Sequence, residues 1–418
     1  MKILYITSDN PAVDAILNGM KEGELEGLPA FYYSFKKLVE KGHSVDMLLV
    51  SDKDHKVISS RYFSEKNLIM VKARQEGISG KFEYLFQVAG STRKLLKKRH
   101  YDFVYGMSEG AYPGVRLAYR MGIPSALRLF GTREMANDLE KIPGKAAKYL
   151  RAIKDYPYIT LSIHGRMTFL LITNDGSRAD QLYEIMDIQD KHYSFFFWRT
   201  GVYIPNEQPE LSLSEKDQYP NNYSTMHLSH IGRITDIKRQ DRSVRILAEL
   251  HKRGYPMHLH FIGSTSGQEM LETIQMLARE YGIEDYVHVE GGKSQSMCRK
   301  YGRNSLATLL VANLNCGNVF YEVMSEGCAL LTNNNHSVDE FIEDGVNCLV
   351  YEEDDYGQAA DKIISLLKDP EKNRYIRRGA YLTAKEKFLS LDRRFDMEAA
   401  LVEAAATGHD LSQYPTVL

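Results

Sequence analysis

The chain has 418 residues, 43% of them hydrophobic and 26% charged, with 53 basic against 55 acidic side chains and a net charge of −2. At about 150 residues per domain, that length predicts two or three domains with ordinary cores. The charge balance excludes a general basic excess for nucleic acid. Four scattered cysteines (Cys298, Cys316, Cys328, Cys348) with no CxxC pair exclude a disulfide scaffold and argue against structural zinc. They read as reduced thiols of a cytoplasmic protein. The opening segment MKILYITSDNPAVD enters a strand at once, without the basic-then-apolar order of a signal peptide, and no apolar run approaches about 18 residues.

In chain order, the first half offers strand-like runs at Lys2–Thr7, Val45–Val50, Leu68–Val71, Phe103–Tyr105, Ser125–Leu129 and Phe169–Thr173. Helical spacing fills Ala30–Lys41 and Phe82–Lys98, and a glycine follows the first of these, at Gly42. This rhythm predicts a parallel sheet covered by helices on both faces. Asn206–Asn222 holds two prolines and few apolar residues, which suits a linker. The pattern then restarts with runs at Met226–Ile231, His258–Ile262, Val287–Val289, Ala307–Val311, Ala329–Thr332 and Cys348–Tyr351. Helical stretches at Arg239–Arg253, Gly267–Tyr281, Ser294–Asn304 and Gln358–Lys368 separate them. The expected organisation is a domain over 1–205, a linker over 206–222, a second domain over 223–390, and a helical tail over 391–418 that packs back on the first domain.

Ligands of parallel sheets sit beyond the carboxyl ends of the strands, so residues just after strands carry the functional signal. Directly after Met226–Ile231 come Gly232 and Arg233, with Lys238 five residues on. Glycine lets a ligand approach the backbone, and a guanidinium fork with an ammonium point charge suits a diphosphate. The same residues also fit a turn with a solvated arginine. A second segment runs from Asn315 through Gly317, Asn318 and Val319 to Glu322, and opens a helix whose N-terminal N–H groups offer an anion site. Glu322 there is placed to accept hydrogen bonds from sugar hydroxyls. The plainer alternative is a strand–helix–strand unit with Asn315 as the cap and Glu322 exposed.

Together these segments resemble glycosyltransferase family 4, the retaining enzymes of GT-B fold that use nucleotide sugars. Gly232-Arg233 with Lys238, the strand ending at Gly263, the strand before Gly291-Gly292, the segment Glu322–Leu331, and the run Glu340–Val350 follow the family's order over about residues 224–370. The resemblance implies two Rossmann-like domains whose parallel sheets face an interdomain cleft. It implies Arg233 and Lys238 as the catalytic charges on a donor diphosphate, without a metal or other cofactor. Donor contacts would come from Gly232, Gly263, Gly292, Lys293, Asn315, Gly317, Asn318, Val319 and Glu322, with Glu322 on the ribose. The donor is a UDP- or GDP-sugar and the partner a sugar acceptor, whose side is marked by Gly27, Phe130, Gly131, Asn174 and Asp175. Two positions depart from the family's pattern. Leu314 stands where a first glutamate is usual, and Phe130 where a histidine is.

Three readings remain beside this one. The chain is a nucleotide-sugar-binding protein without turnover, or another GT-B enzyme such as an epimerase. A dinucleotide dehydrogenase is disfavoured because no GxGxxG follows the first strand. Phe195–Trp198 fits a buried run and, alternatively, a peripheral membrane contact. Histidines at 227, 230, 258 and 260 show no metal-ligand spacing and read as structural.

Overall fold

The computed structural model describes residues 1–18, 29–57, 62, 64–73, 77–209, 226–265, 267–313, 317–335 and 341–418. Gly27, Leu314, Asn315, Cys316 and most of the linker therefore lie outside the described residues. The chain divides into two compact units, Met1–Thr200 with Asp392–Leu418, and Gly201–Leu391.

The first unit holds β1 (Lys2–Ser8), α1 (Pro11–Asn18), α2 (Pro29–Glu40), β2 (Ser44–Ser51), β3 (Leu68–Lys72), α3 (Gly77–Lys98), β4 (Phe103–Met107), α4 (Tyr112–Arg120) and β5 (Ser125–Leu129). It continues through α5 (Met135–Glu140), α6 (Lys145–Asp155), α7 (Pro157–Ile163), β6 (Phe169–Thr173), α8 (Leu182–Ile185) and β7 (Ser194–Trp198). Its seven strands run in the order β3-β2-β1-β4-β5-β6-β7, every pair parallel. Helices cover both faces, so β4, β5 and β6 are buried along their whole length, and near-continuous apolar sequence is what such strands require.

The aromatic run is a strand. Phe196, Phe197 and Trp198 are 3%, 4% and 0% exposed, and Trp198 Nε1 donates to the Pro415 carbonyl at 2.6 Å. These rings are packed inside the unit, so they are not available for the membrane contact considered from sequence.

The second unit holds β8 (His227–Ile231), α9 (Gln240–Lys252), β9 (His258–Ile262), α10 (Glu269–Tyr281), β10 (Val287–Gly291), α11 (Gln295–Asn304), β11 (Ala307–Leu309), α12 (Asn318–Ser325), β12 (Leu330–Asn334), β13 (Leu349–Glu352), α13 (Tyr356–Lys368) and α14 (Pro370–Lys387). The sheet order is β10-β9-β8-β11-β12-β13, again parallel. Each sheet thus reverses its winding direction once, between β1 and β4 in the first unit and between β8 and β11 in the second. A crevice opens at such a point, beyond the strand ends.

A final helix, α15 (Leu391–Thr407), carries the chain into the first unit. Glu398 is buried there, and both its oxygens accept from Arg128 Nη1, at 2.8 and 2.7 Å. Arg394, Ser34 and Tyr105 donate to the same carboxylate at 2.8–2.9 Å. Burial pushes the carboxyl pKa up, but Arg128 and Arg394, helped by the two hydroxyls, outweigh it and hold it below the ordinary range.

Candidate functional site

The segment leaving β8 passes through Gly232 and Arg233 into a single 3-10 turn, Asp236–Lys238, before α9. Arg239 bridges turn and helix in a left-handed conformation, with φ 52°, and its guanidinium donates twice to Asp241 at 2.9 Å. Beyond β11, Gly317 adopts extended backbone as the cap of α12, with no side chain closing the helix start. Asn313 N donates to the Ile237 carbonyl at 3.2 Å and ties the two segments together. Lys238 Nζ consequently lies 3.7 Å from where a β-carbon on Gly317 would stand. Lys238, Gly317, Asn318 and Val319 line a niche of about 60 Å³ above Ile231 and His230. An ammonium and the N-terminus of a helix therefore converge on one small space at the β8/β11 crevice, a natural place for a phosphate-sized anion.

Electrostatics sharpen the niche. His230 is buried, with Nδ1 2.8 Å from Ser243 Oγ. Burial, assisted by the positive charge of Lys238, lowers its pKa to about 3. His230 is neutral at physiological pH, and Lys238 supplies the positive charge.

Glycine at 263 is dictated by close approach. A β-carbon there would fall 2.0 Å from the Gly232 carbonyl oxygen. That contact lets the strand ends be stitched together: Gly232 N to Ile262 O at 2.9 Å, Ile234 N to Ser264 O at 3.0 Å, and Gly263 N to Gly291 O at 2.9 Å. Gly292 is exposed and Lys293 half-buried just past β10, on the same edge of the sheet. Arg233 is exposed and is not among the described residues that line the niche; its carbonyl accepts from Gln240 Nε2 at 2.8 Å.

Glu322 lies one turn beyond Asn318 on α12 and is half-buried, not exposed. Its Oε1 accepts from Gln295 Nε2 at 3.4 Å. Burial raises the carboxyl pKa to about 7; Arg299 opposes the rise and Glu326 adds to it. Arg299 is committed to Glu326, Nε to Oε1 at 3.1 Å, so it does not pair with Glu322. Sequence spacing holds no sign of this titration, because the burial comes from α11 packing against α12.

In the first unit, Phe130, Gly131, Asn174 and Asp175 lie together past β5 and β6. Gly131, at φ 87°, faces Asp175 so closely that a β-carbon would fall 1.9 Å from Oδ2. Asp175 Oδ1 accepts from Ser177 N at 3.1 Å, and Asn174 N donates to the Trp198 carbonyl at 2.9 Å. Phe130 stacks on Phe31 at 4.3 Å between centroids and packs against the Arg128 guanidinium, so its role in the structure is packing.

His227, His258, His260 and His288, on β8, β9 and β10, form a stacked ladder. His227 Nδ1 lies 2.9 Å from His260 Nε2, and His258 Nδ1 lies 3.0 Å from His288 Nε2. Among the described residues, no group of three or more His, Cys, Asp or Glu side chains is placed to hold a metal ion. No helix among them is long and apolar enough to cross a membrane.

The family model described as glycosyl transferases group 1 matches residues 215–383, the stretch that contains the niche. No curated protein matches the chain in sequence. Solved structures match over nearly its full length at low identity. HepE of Anabaena, in complex with UDP and glucose, is 14% identical with a TM-score of 0.69, covering 97% of this chain and 100% of HepE. Sucrose-phosphate synthase of Thermosynechococcus elongatus is 13% identical with a TM-score of 0.71, covering 97% and 99%. WaaG, a glycosyltransferase involved in lipopolysaccharide biosynthesis, is 14% identical with a TM-score of 0.64, covering 96% and 99%. The shared fold is GT-B, with two Rossmann-like parallel-sheet units.

Proposed function

We propose that the chain is a retaining glycosyltransferase that moves a sugar from a nucleotide-sugar donor to a hydroxyl-bearing acceptor. The observation that carries this reading is the convergence of Lys238 and the α12 N-terminus at the β8/β11 crevice, inside the segment matched by the group 1 model. The donor's diphosphate sits at this niche, held by Lys238 and the backbone N–H groups of Asn318 and Val319. Arg233, exposed beside it, swings onto the phosphates when donor binds. Gly292 and Lys293 flank the base, Glu322 accepts from the ribose hydroxyls, and Asn315 and Asn318 contact the sugar.

In the reaction the bond from the sugar C1 to the diphosphate oxygen breaks through an oxocarbenium-like state. The acceptor oxygen forms the new bond from the same face, and its proton passes to the departing diphosphate. No protein nucleophile is needed, and the developing negative charge is met by fixed positive groups. The first unit supplies the acceptor side. UDP-sugars are the first donors to try, since HepE is seen with UDP and glucose. Calorimetric titration of UDP and GDP into the wild type and Lys238→Ala tests the assignment. Affinity for one nucleotide, weakened in the variant, supports it; affinity unchanged by the substitution removes it.

A further inference from the structure

The first unit has its own crevice, where its sheet reverses between β1 and β4. A cavity of about 350 Å³ opens there, within the range of small-molecule sites, and is lined by Ser8, Tyr84, Ser108, Glu109, Arg133 and Tyr158 among others. None of these residues was singled out by sequence, and none belongs to the group past β5 and β6.

Three observations indicate a built site. Ser108, the residue just after β4, has φ 71° and ψ 163°, a region that is nearly glycine's alone. It is held there by its N–H donating to the Arg128 carbonyl at 2.8 Å and its own carbonyl accepting from Ala111 N at 3.1 Å. Tyr84 is buried and packs on Gly110, where a β-carbon would fall 2.9 Å from the ring. Tyr158 is half-buried, and its hydroxyl has no hydrogen-bond partner among the described residues.

The lining also selects a class of ligand. The charged groups of the lining are already matched, Glu109 with Arg133 at 2.8 Å and Asp155 with Arg151 at 2.5 Å, so an ionic ligand would have to break one of these pairs. Hydroxyl groups both donate and accept, and can address carboxylate, guanidinium, serine and phenol together. Tyrosine rings offer an apolar surface to the C–H face of a sugar ring. We propose that this crevice binds a neutral pyranose-sized glycosyl residue, the reactive end of the acceptor; the word acceptor rests on the function proposed above, the binding itself does not.

Saturation-transfer NMR on the full chain, with methyl α- and β-glucosides, methyl α- and β-galactosides and glucose 1-phosphate as probes, tests this. Calorimetry with UDP runs in parallel. At least one neutral methyl hexoside should receive saturation from the wild type, and Tyr158→Ala should lower that signal at least about fivefold with UDP affinity unchanged. Ser108→Gly removes a hydroxyl and relieves the backbone, so it should weaken the signal while leaving Tm unchanged or higher. No signal from any methyl hexoside while UDP binds would overturn the proposal and leave the function standing. So would a signal unaltered in both variants, and stronger binding of glucose 1-phosphate would overturn the neutral class. Hexoside binding without any affinity for UDP would remove the transferase reading and leave this site in place.

Discussion

Lys238 Nζ stands 3.7 Å from the β-carbon position of Gly317, across the point where the second sheet reverses direction. The two residues belong to different strand–loop–helix units, brought together by the β8–β11 pairing and the hydrogen bond from Asn313 N to the Ile237 carbonyl. Removing the ammonium should cost about 1.5–3 kcal/mol of nucleoside diphosphate affinity, the range of a charge-assisted hydrogen bond. Lys238→Arg should recover part of it. Calorimetry reads this directly; equal affinities for wild type and Lys238→Ala would separate the niche from the phosphates.

Glu322 should make donor binding depend on pH. A carboxyl with a pKa of about 7 is largely protonated below that value, and ribose hydroxyls prefer to donate to its ionised form. Binding therefore releases a proton, and affinity should rise several-fold from about pH 6 to about pH 8. Glu322→Gln should bind more weakly above pH 7 and show a flat profile. A profile of the same slope in both proteins would assign the titration elsewhere.

Legibility differed between elements for physical reasons. Strands β5, β6 and β9 were readable residue for residue, because a strand buried on both faces is a short apolar run bounded by turn residues. Strand β7 was not read as a strand: Phe195–Trp198 fits a buried run, but four aromatics in a row carry no alternation and also fit a membrane contact. Gly232, Lys238, Gly317 and Glu322 were nameable from order and spacing. The exposure of Arg233 and the raised pKa of Glu322 were not, since both follow from packing between distant segments. The β1/β4 crevice was invisible for the same reason. Nothing in the sequence Met107-Ser108-Glu109 announces a positive φ at a serine.

Glu398 should be the most damaging single position for stability in the first unit. Replacing it by glutamine leaves Arg128 and Arg394 buried with their charge unmatched, which costs about 3–5 kcal/mol in comparable buried pairs. Replacing Arg128 and Arg394 by Met and Glu398 by Leu together should be milder than the loss of Glu398 alone, because no buried charge is then left unmatched. Denaturant unfolding decides between these outcomes; additive losses would mean that the ion pairs are not coupled.

The histidine ladder should make the second unit sensitive to acid. His258 and His260 have pKa values lowered to about 4, chiefly by burial, and neighbouring imidazoles reinforce this; the Glu290 carboxylate pulls His260 the other way. His258 faces His227, His288 and Tyr286, with His251 near enough to be felt. The unfolded chain takes up these protons near pH 6.5 and the folded chain only near pH 4. The stabilisation is thus full above 6.5 and falls away as pH drops toward 4. The Tm gap between wild type and His258→Gln should be widest above pH 7 and shrink across that window. A gap independent of pH would contradict the neutral, stacked state.

The central claim is that the Lys238 niche stabilises a departing nucleoside diphosphate during sugar transfer. The most direct measurement is diphosphate release from a panel of UDP- and GDP-sugars, with methyl hexosides and a host-cell extract as acceptors, for wild type and Lys238→Ala in EDTA. The expected result is release from one donor, stimulated by an acceptor and reduced at least about 100-fold in the variant, a barrier increase of about 2.7 kcal/mol. Donor binding without release across the whole panel would contradict it, as would release that Lys238→Ala leaves unchanged.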